Sequence, residues 1–428
     1  MKVEGKIWTG FDWLLLLLYV GLVTFGWLNL YAVGYETTLN PSLFDLSKSA
    51  GKQFLWISTT IVIFIFSLFF DTQFYRSLAY VFYAFTLLLL VGTLIWGVKV
   101  GGHSAWFRWG NTQFQPAEFA KLACTLALAK HLDKATAKLT QLKTQFTLCF
   151  IILLPVGLIL LQGDVGSSLV FSAFIIVLYR EGFPPLIILA GLTIVIISVL
   201  ALLIHHAYLI IGTLGLSLLL IGIGKRTLKK TLTIALFSLA TIGLIEGFHW
   251  VVNHALKPHH QNRLKALIDP NADPLGIGWN VTQSKIAIGA GGMWGKGFLK
   301  GTQTKYGFVP EQRTDFIFCT IGEEYGWVGA LIFISIYMGL LLRMLYIAER
   351  QRLRFARVYG YGVTAVLFFH FMINLGMTIG LMPVIGIPLP FISYGGSSLW
   401  AFSMMLFILL RFDAERKHYL SWQGLPLA

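Results

Sequence analysis

Long apolar windows separated by short polar stretches run along nearly the whole chain. They lie near residues 11–33, 53–70, 76–97, 117–131, 146–162, 165–179, 184–204, 207–223, 231–254, 320–342, 358–380 and 395–411. A helix needs about 20 apolar residues to cross the hydrocarbon core of a bilayer, and most of these windows approach that length. In lipid every backbone N–H and C=O must be satisfied, and windows this continuously apolar suit helices rather than the alternating strands of a barrel. The pattern predicts an all-α integral membrane bundle of about twelve transmembrane helices. The first window, from Trp13 to Leu30, is followed by no small-residue cleavage site and reads as a retained span.

Composition agrees. The 428 residues are 56% hydrophobic and only 12% charged, with mean hydropathy +0.73, which excludes an ordinary soluble domain. We read residues 1–428 as a single membrane domain containing one long loop at 255–315. The net charge of +14 raises the question of nucleic acid. Its Lys and Arg residues, however, gather in "KHLDKATAKLTQLK", "GKRTLKK", "ERQRLRFAR" and "RFDAERKH", as cytoplasmic loops do, so no nucleic acid partner is expected. Both termini are then cytoplasmic. Cys124, Cys149 and Cys319 sit in apolar segments without ligand spacing and read as small core residues.

This topology carries "HSAWFRWGNTQFQPAEFAK", "LQGDVGSS", the 255–315 loop and "PVIGIPLPFISYGGSS" to the outer face. Ionisable residues at spans are costly and therefore informative. Glu118 and Lys121, three apart after Pro116, can pair on one helix face, either as a structural ion pair or as part of a site. Asp164 suits a helix cap, and Glu323 and Glu324 suit the dipole near a helix start. Glu246 and His249 read as a local polar pair. Asp315 follows a loop with Lys285, Lys296, Lys300, Lys305, Arg313 and the glycine-dense run "AIGAGGMWGKGFLKGTQ", which together favour an anion such as a phosphate. Either capping or chemistry explains Asp315 from the loop alone. A carboxylate among cations, with apolar walls open to lipid, suits a substrate with a lipid tail and a phosphate head, and could act as a general base toward a hydroxyl.

Five stretches together resemble the SEDS family of shape, elongation, division and sporulation proteins: "QPAEFAKLA", "QGDVGSS", the run from Asp269 to Phe318, "GEEYGWVG" and "MPVIGIPLPFISYGGSS". The segments "QSKIAIG", "GKG" and "GTQ" look more like its RodA branch than its FtsW branch. The resemblance implies a peptidoglycan glycosyltransferase that polymerises lipid II at the outer face of the bacterial cytoplasmic membrane for elongation and rod shape. It implies Asp315 of "TDF" as the catalytic acid, with Glu118, Lys121, Asp164 and Trp106 lining the cavity; Lys285 and Lys296 are electrostatic candidates for the pyrophosphate. It also implies Mg²⁺ or Mn²⁺, and a class B penicillin-binding protein and other elongation-complex proteins as partners, since no transpeptidase motif set is present here. A lipid II flippase and a division-type polymerase are the alternatives. The chain departs from the family pattern at Ala105, where an arginine is usual and Arg108 lies beyond Trp106, and at Gly163, where a proline is usual. Ten spans are typical, so an extra pair is expected between about 205 and 255.

Overall fold

The computed structural model describes residues 10–35, 42–100, 103–110, 112–134, 139–185, 204–223, 227–250 and 277–422, with isolated positions between 188 and 201 and His254. In chain order the elements are α1 (Trp13–Val33), α2 (Ser49–Phe69), α3 (Thr72–Trp96), β1 (Val98–Val100), β2 (His103–Trp109), β3 (Thr112–Phe114), α4 (Pro116–Leu132), α5 (Leu142–Leu161) and α6 (Val165–Val170). They continue with α7 (Phe174–Arg180), α8 (His206–Gly222), α9 (Leu228–Trp250), α10 (Ile277–Ala290), α11 (Ile317–Glu349), α12 (Arg354–Thr378) and α13 (Gly396–Trp422). Among the described residues eight helices are long and apolar enough to cross a membrane, and Val165–Arg180 and His206–Gly222 are shorter apolar helices. The chain is a multi-pass helical membrane protein. The span expected at 184–204 lies mostly outside the described residues.

Two compact units form: residues 1–183, 283–381 and 385–428 in one, 184–282 and 382–384 in the other. The extra helix pair expected between 205 and 255 is α8 and α9 of the second unit. Within it Ser217 and Ser238 join the two helices by a hydrogen bond between hydroxyls. The His249 ring lies 4.4 Å from that of His206, and Glu246 stands exposed.

In the first unit the centre belongs to α4, α12 and α13. Buried residues make up 78% of the α12 span and 83% of the α13 span, against 17% for α2, which therefore faces lipid. The α4 helix starts on Pro116, a residue whose missing N–H costs nothing at that position. Its Ala117, Ala120, Ala123, Ala127 and Ala129 are all buried and let neighbouring helices approach closely. At Gly362 of α12 an added Cβ would come within 2.5 Å of the Thr125 methyl carbon. A helix so enclosed needs less apolar surface than a lipid-facing one, which explains the short 117–131 window. At one end of the bundle Asp12 caps α1 by accepting from the Leu15 N–H at 3.0 Å. It also accepts from Arg343 at 2.8 Å and Arg350 at 2.9 Å, while Arg350 pairs with Asp413. That network ties the start of α1 to the distal ends of α11 and α13.

Two stretches read as loop are ordered elements. Strands β1, β2 and β3 form an antiparallel three-stranded sheet, in which Val98 faces Trp106 and Phe107 faces Phe114. The alternation in "HSAWFRW" and the turn at Gly110, with φ 57°, account for it. Within the expected 255–315 loop, Ile277–Ala290 is helical. It is held by a stripe of small residues: Ser284 donates its hydroxyl to the Thr378 carbonyl at 2.8 Å, Ala287 is fully buried, and a Cβ on Gly291 would meet the Gly322 carbonyl oxygen at 2.0 Å. Residues 255–276 of that loop lie outside the described ones.

Candidate active site

Asp315 stands one residue before the N-cap position of α11. The cap of α11 is Phe316, which offers no side-chain bond, and Asp315 ends the turn before it. Three successive carbonyls hold this turn in place. Arg313 accepts from the Tyr394 N–H at 2.8 Å, Thr314 from the Ser393 hydroxyl at 2.5 Å and Asp315 from the Asn374 amide at 2.8 Å. The same Asn374 amide donates to the Ile387 carbonyl at 2.8 Å. The half-buried carboxylate lies against the 385–395 loop, since a Cβ built on Gly386 would be 3.3 Å from Asp315 Oδ2. Gly386 itself has φ 72°, a conformation natural to glycine. In this loop Phe391 also takes a positive φ, 70°, and burial pushes the Tyr394 phenol above its ordinary range.

Two of the other predicted carboxylates, Asp164 and Glu118, are linked to this loop or to the helix that follows it. Asp164 caps α6 as expected, accepting from the Ser167 N–H at 2.9 Å, and its second oxygen accepts from the Gln115 amide at 2.9 Å. Gln115 N–H in turn donates to the Ser397 hydroxyl at 3.1 Å, at the start of α13. Glu118 and Lys121 form the expected pair, Oε1 to Nζ 2.8 Å, with both side chains essentially free of solvent. Lys121 Nζ also lies 2.8 Å from Nε2 of His370, whose Nδ1 is 3.1 Å from the Pro388 carbonyl oxygen. Gly166, one residue into α6, sits so close to the loop that a Cβ would meet the Ile385 carbonyl oxygen at 2.3 Å. The turn ending in Asp315 is thus tied directly to the segment 385–398, Asp164 and Lys121 through one residue, and Glu118 through two.

Trp106 is half-buried on β2. Ala105 beside it is fully buried, while Arg108 is exposed and donates to the Gly110 carbonyl of its own hairpin at 3.3 Å, so it does not occupy the place an arginine at 105 would take. Gly163 has φ 85° and its N–H donates to the Leu160 carbonyl at 2.9 Å. Proline could supply neither, so this turn is built differently from one containing proline.

The glycine-dense run serves a purpose the sequence did not disclose. Helix α11 is broken at Gly326, with φ 69° and ψ −165°, a region essentially reserved for glycine. The backbone groups freed by the break pair with the run: Trp327 N–H with the Gly292 carbonyl at 2.9 Å, Val328 N–H with Met293 at 3.1 Å, and the Lys296 and Gly297 N–H groups with the carbonyls of Glu323 and Glu324 at 3.0 and 2.9 Å. Close approach is therefore to a helix backbone. Glu323, fully buried, is the anchor of the following loop and not a dipole residue at a helix start. It accepts from the N–H groups of Thr302, Gln303 and Thr304 at 2.7, 2.9 and 2.9 Å, from both threonine hydroxyls, and from Lys296 Nζ at 2.8 Å. Glu324 accepts from the N–H of Leu299, which is held at φ 66°. Lys296 thus serves Glu323, whereas Lys285 is exposed on α10. Gly326→Ala will drive a Cβ to 2.3 Å from the Gly295 nitrogen; with the backbone strain of about 1–3 kcal/mol it should lower the unfolding temperature in a thermal melt.

Beneath this clamp an apolar groove of about 460 Å³ is lined by Ile288, Phe318, Gly322, Trp327, Leu375 and Ile379 among others. It reaches Phe318, three residues beyond Asp315, and Leu375, next to Asn374.

The family model for FtsW, RodA and SpoVE, described as cell cycle protein, matches residues 12–214 and 209–418. The chain belongs to this family. It is 32% identical to the peptidoglycan glycosyltransferase RodA of Treponema pallidum over 97% of this chain and 100% of that protein. It is 33% identical to the peptidoglycan glycosyltransferase MrdB of Escherichia coli K12 over 80% of each. In structure it matches a chain from a peptidoglycan synthase complex, solved for its coordination of polymerization and crosslinking, with TM-score 0.71, 28% identity and coverage of 95% of this chain and 98% of that one. The rod shape determining protein RodA of Thermus thermophilus gives TM-score 0.62 at 25% identity, covering 95% of this chain and 97% of that one. The resemblance to the family and its fold, drawn from the five sequence stretches, is borne out.

His370 and Asn374 were missed in the sequence. They sit in an otherwise apolar span, and four-residue spacing on one helix face was the signal that could have found them.

Proposed function

We propose that this chain polymerises lipid II as an inverting peptidoglycan glycosyltransferase, with Asp315 as its general base. The observation that carries this reading is the placement of Asp315: a half-buried carboxylate set by three backbone grips at the head of a membrane helix whose Phe318 lines an apolar groove. In this mechanism Asp315 takes the proton of the acceptor GlcNAc 4-hydroxyl. The oxygen bonds to C1 of the donor MurNAc from the face opposite the leaving group, the C1–O bond to the pyrophosphate breaks, and undecaprenyl pyrophosphate departs with its electrons. The groove suits part of a polyprenyl tail, which holds the sugar at the water boundary where Asp315 stands.

Among the described residues no three His, Cys, Asp or Glu side chains gather to hold a metal. We propose that Mg²⁺ or Mn²⁺ is taken up largely by the substrate phosphates. When bound, the cation would neutralise charge on the pyrophosphate. The basic loops support placing both termini in the cytoplasm and the site at the outer face of the cytoplasmic membrane. The likeness to a chain of a peptidoglycan synthase complex supports a class B penicillin-binding protein as partner in wall elongation.

The test is glycan formation from lipid II in liposomes by the chain with that partner. Parent protein should make chains, and Asp315→Ala should reduce the rate at least a hundredfold, on the order of what a general base contributes. Chains made at the parent rate by Asp315→Ala would place the chemistry elsewhere.

A further inference from the structure

We propose that His370 is a positioning residue of the site, coupling the buried Glu118–Lys121 pair to the loop against which Asp315 is set; the inference rests on the polymerase reading above. The His370 side chain is fully buried in α12. Its bonding fixes its state. The Pro388 carbonyl can only accept, so Nδ1 carries the hydrogen, and the Lys121 ammonium can only donate, so Nε2 presents its lone pair. A neutral imidazole of one tautomer thus stands between a cation and a backbone carbonyl, with its ring packed edge-on to Phe402 at 4.8 Å.

Lys121 in turn has few other restraints. Its Nζ reaches Glu118 Oε1 at 2.8 Å and His370 Nε2 at 2.8 Å, and lies 5.4 Å from the centre of the Phe402 ring. Glu118 Oε2 is buried and makes no hydrogen bond among the described residues, so Lys121 orients that carboxylate, and His370 orients Lys121. One helical turn after His370, Asn374 donates to the Ile387 carbonyl and to the Asp315 carbonyl. Two side chains on one face of α12 therefore grip the adjacent carbonyls 387 and 388, and the second of them also grips Asp315. Helix α12 acts as a ruler between the pair on α4 and Asp315. Releasing the His370 end frees Lys121 and the loop without touching the reacting atoms, and displacements of about 1 Å in such a frame cost up to a hundredfold in rate.

The experiment measures lipid II polymerisation by the complex with its penicillin-binding partner, as kcat and KM, for the parent, Asp315→Ala, His370→Phe and His370→Gln. Phenylalanine fills the space but can bond neither partner. Glutamine can accept from Lys121 and donate to Pro388. Expected are a kcat for His370→Phe lowered about ten- to hundredfold, an unchanged KM, and His370→Gln within about threefold of the parent, which is less than 1 kcal/mol in barrier. Should the Phe variant not fold, His370→Asn, too short to span both partners, takes its place and should be equally slow. With Asp315→Ala inactive, a parent-like His370→Phe, a His370→Gln as slow as Phe, or a His370→Asn as fast as Gln would overturn the positioning role alone. An active Asp315→Ala would overturn the polymerase reading instead.

Discussion

Lys121→Met should destabilise the protein by about 3–5 kcal/mol and end polymerisation. The ammonium lies in a fully buried place between Glu118 and His370. Its removal strands the Glu118 carboxylate, only 1% exposed, among apolar side chains with no cation to balance it. The cost of an uncompensated buried charge exceeds what the pair contributes when intact, so the double change Glu118→Gln with Lys121→Met should recover much of the lost stability. Activity should stay low in both. Thermal unfolding in detergent reads the first effect and lipid II polymerisation the second; a Lys121→Met protein that melts with the parent would show that the pair does not hold the bundle.

Glu323→Ala should be as damaging, by another route. The carboxylate gathers three backbone N–H groups, two threonine hydroxyls and the Lys296 ammonium, and so fixes the chain from Lys296 to Thr304 against the broken helix α11. Without it those donors lose their shared acceptor, at a cost on the order of 3–5 kcal/mol. The loop leading to Asp315 then opens, so polymerisation should fall at least tenfold, the consequence of misplaced catalytic geometry. Limited proteolysis should cut between residues 296 and 310 in Glu323→Ala but not in the parent. Glu323→Gln, keeping one acceptor oxygen, should fall between them. Parent-like rate and protease resistance in Glu323→Ala would show that the clamp is dispensable.

Much of the fold was legible because lipid imposes a strong pattern. The apolar windows located α1, α3, α5, α9, α11 and α13, and the spacing of Glu118 and Lys121 after Pro116 gave their pairing on α4. The capping role of Asp164 was equally plain from its place in a short turn. What stayed hidden depends on contacts distant in sequence. The 98–114 sheet is too short for alternation to stand out beside twenty-residue windows. The break at Gly326 is invisible within an apolar run, because it exists only where the glycine run near 291–297 docks to satisfy it. For the same reason Glu323 looked like a dipole residue until its contact with Lys296 was seen. Asp315 itself was found by resemblance and by its position after a cationic loop; that it is gripped from α12 and from the 385–395 loop required the structure.

The most direct test compares parent and Asp315→Asn, a change that keeps size and removes the carboxylate's charge and with it its ability to take a proton. Both are purified with the penicillin-binding partner, matched for melting temperature, and supplied with lipid II. The polymerase reading predicts long glycan chains from the parent and a rate lowered at least a hundredfold in Asp315→Asn, on the scale of a lost general base. Equal chain formation by the two proteins would contradict it.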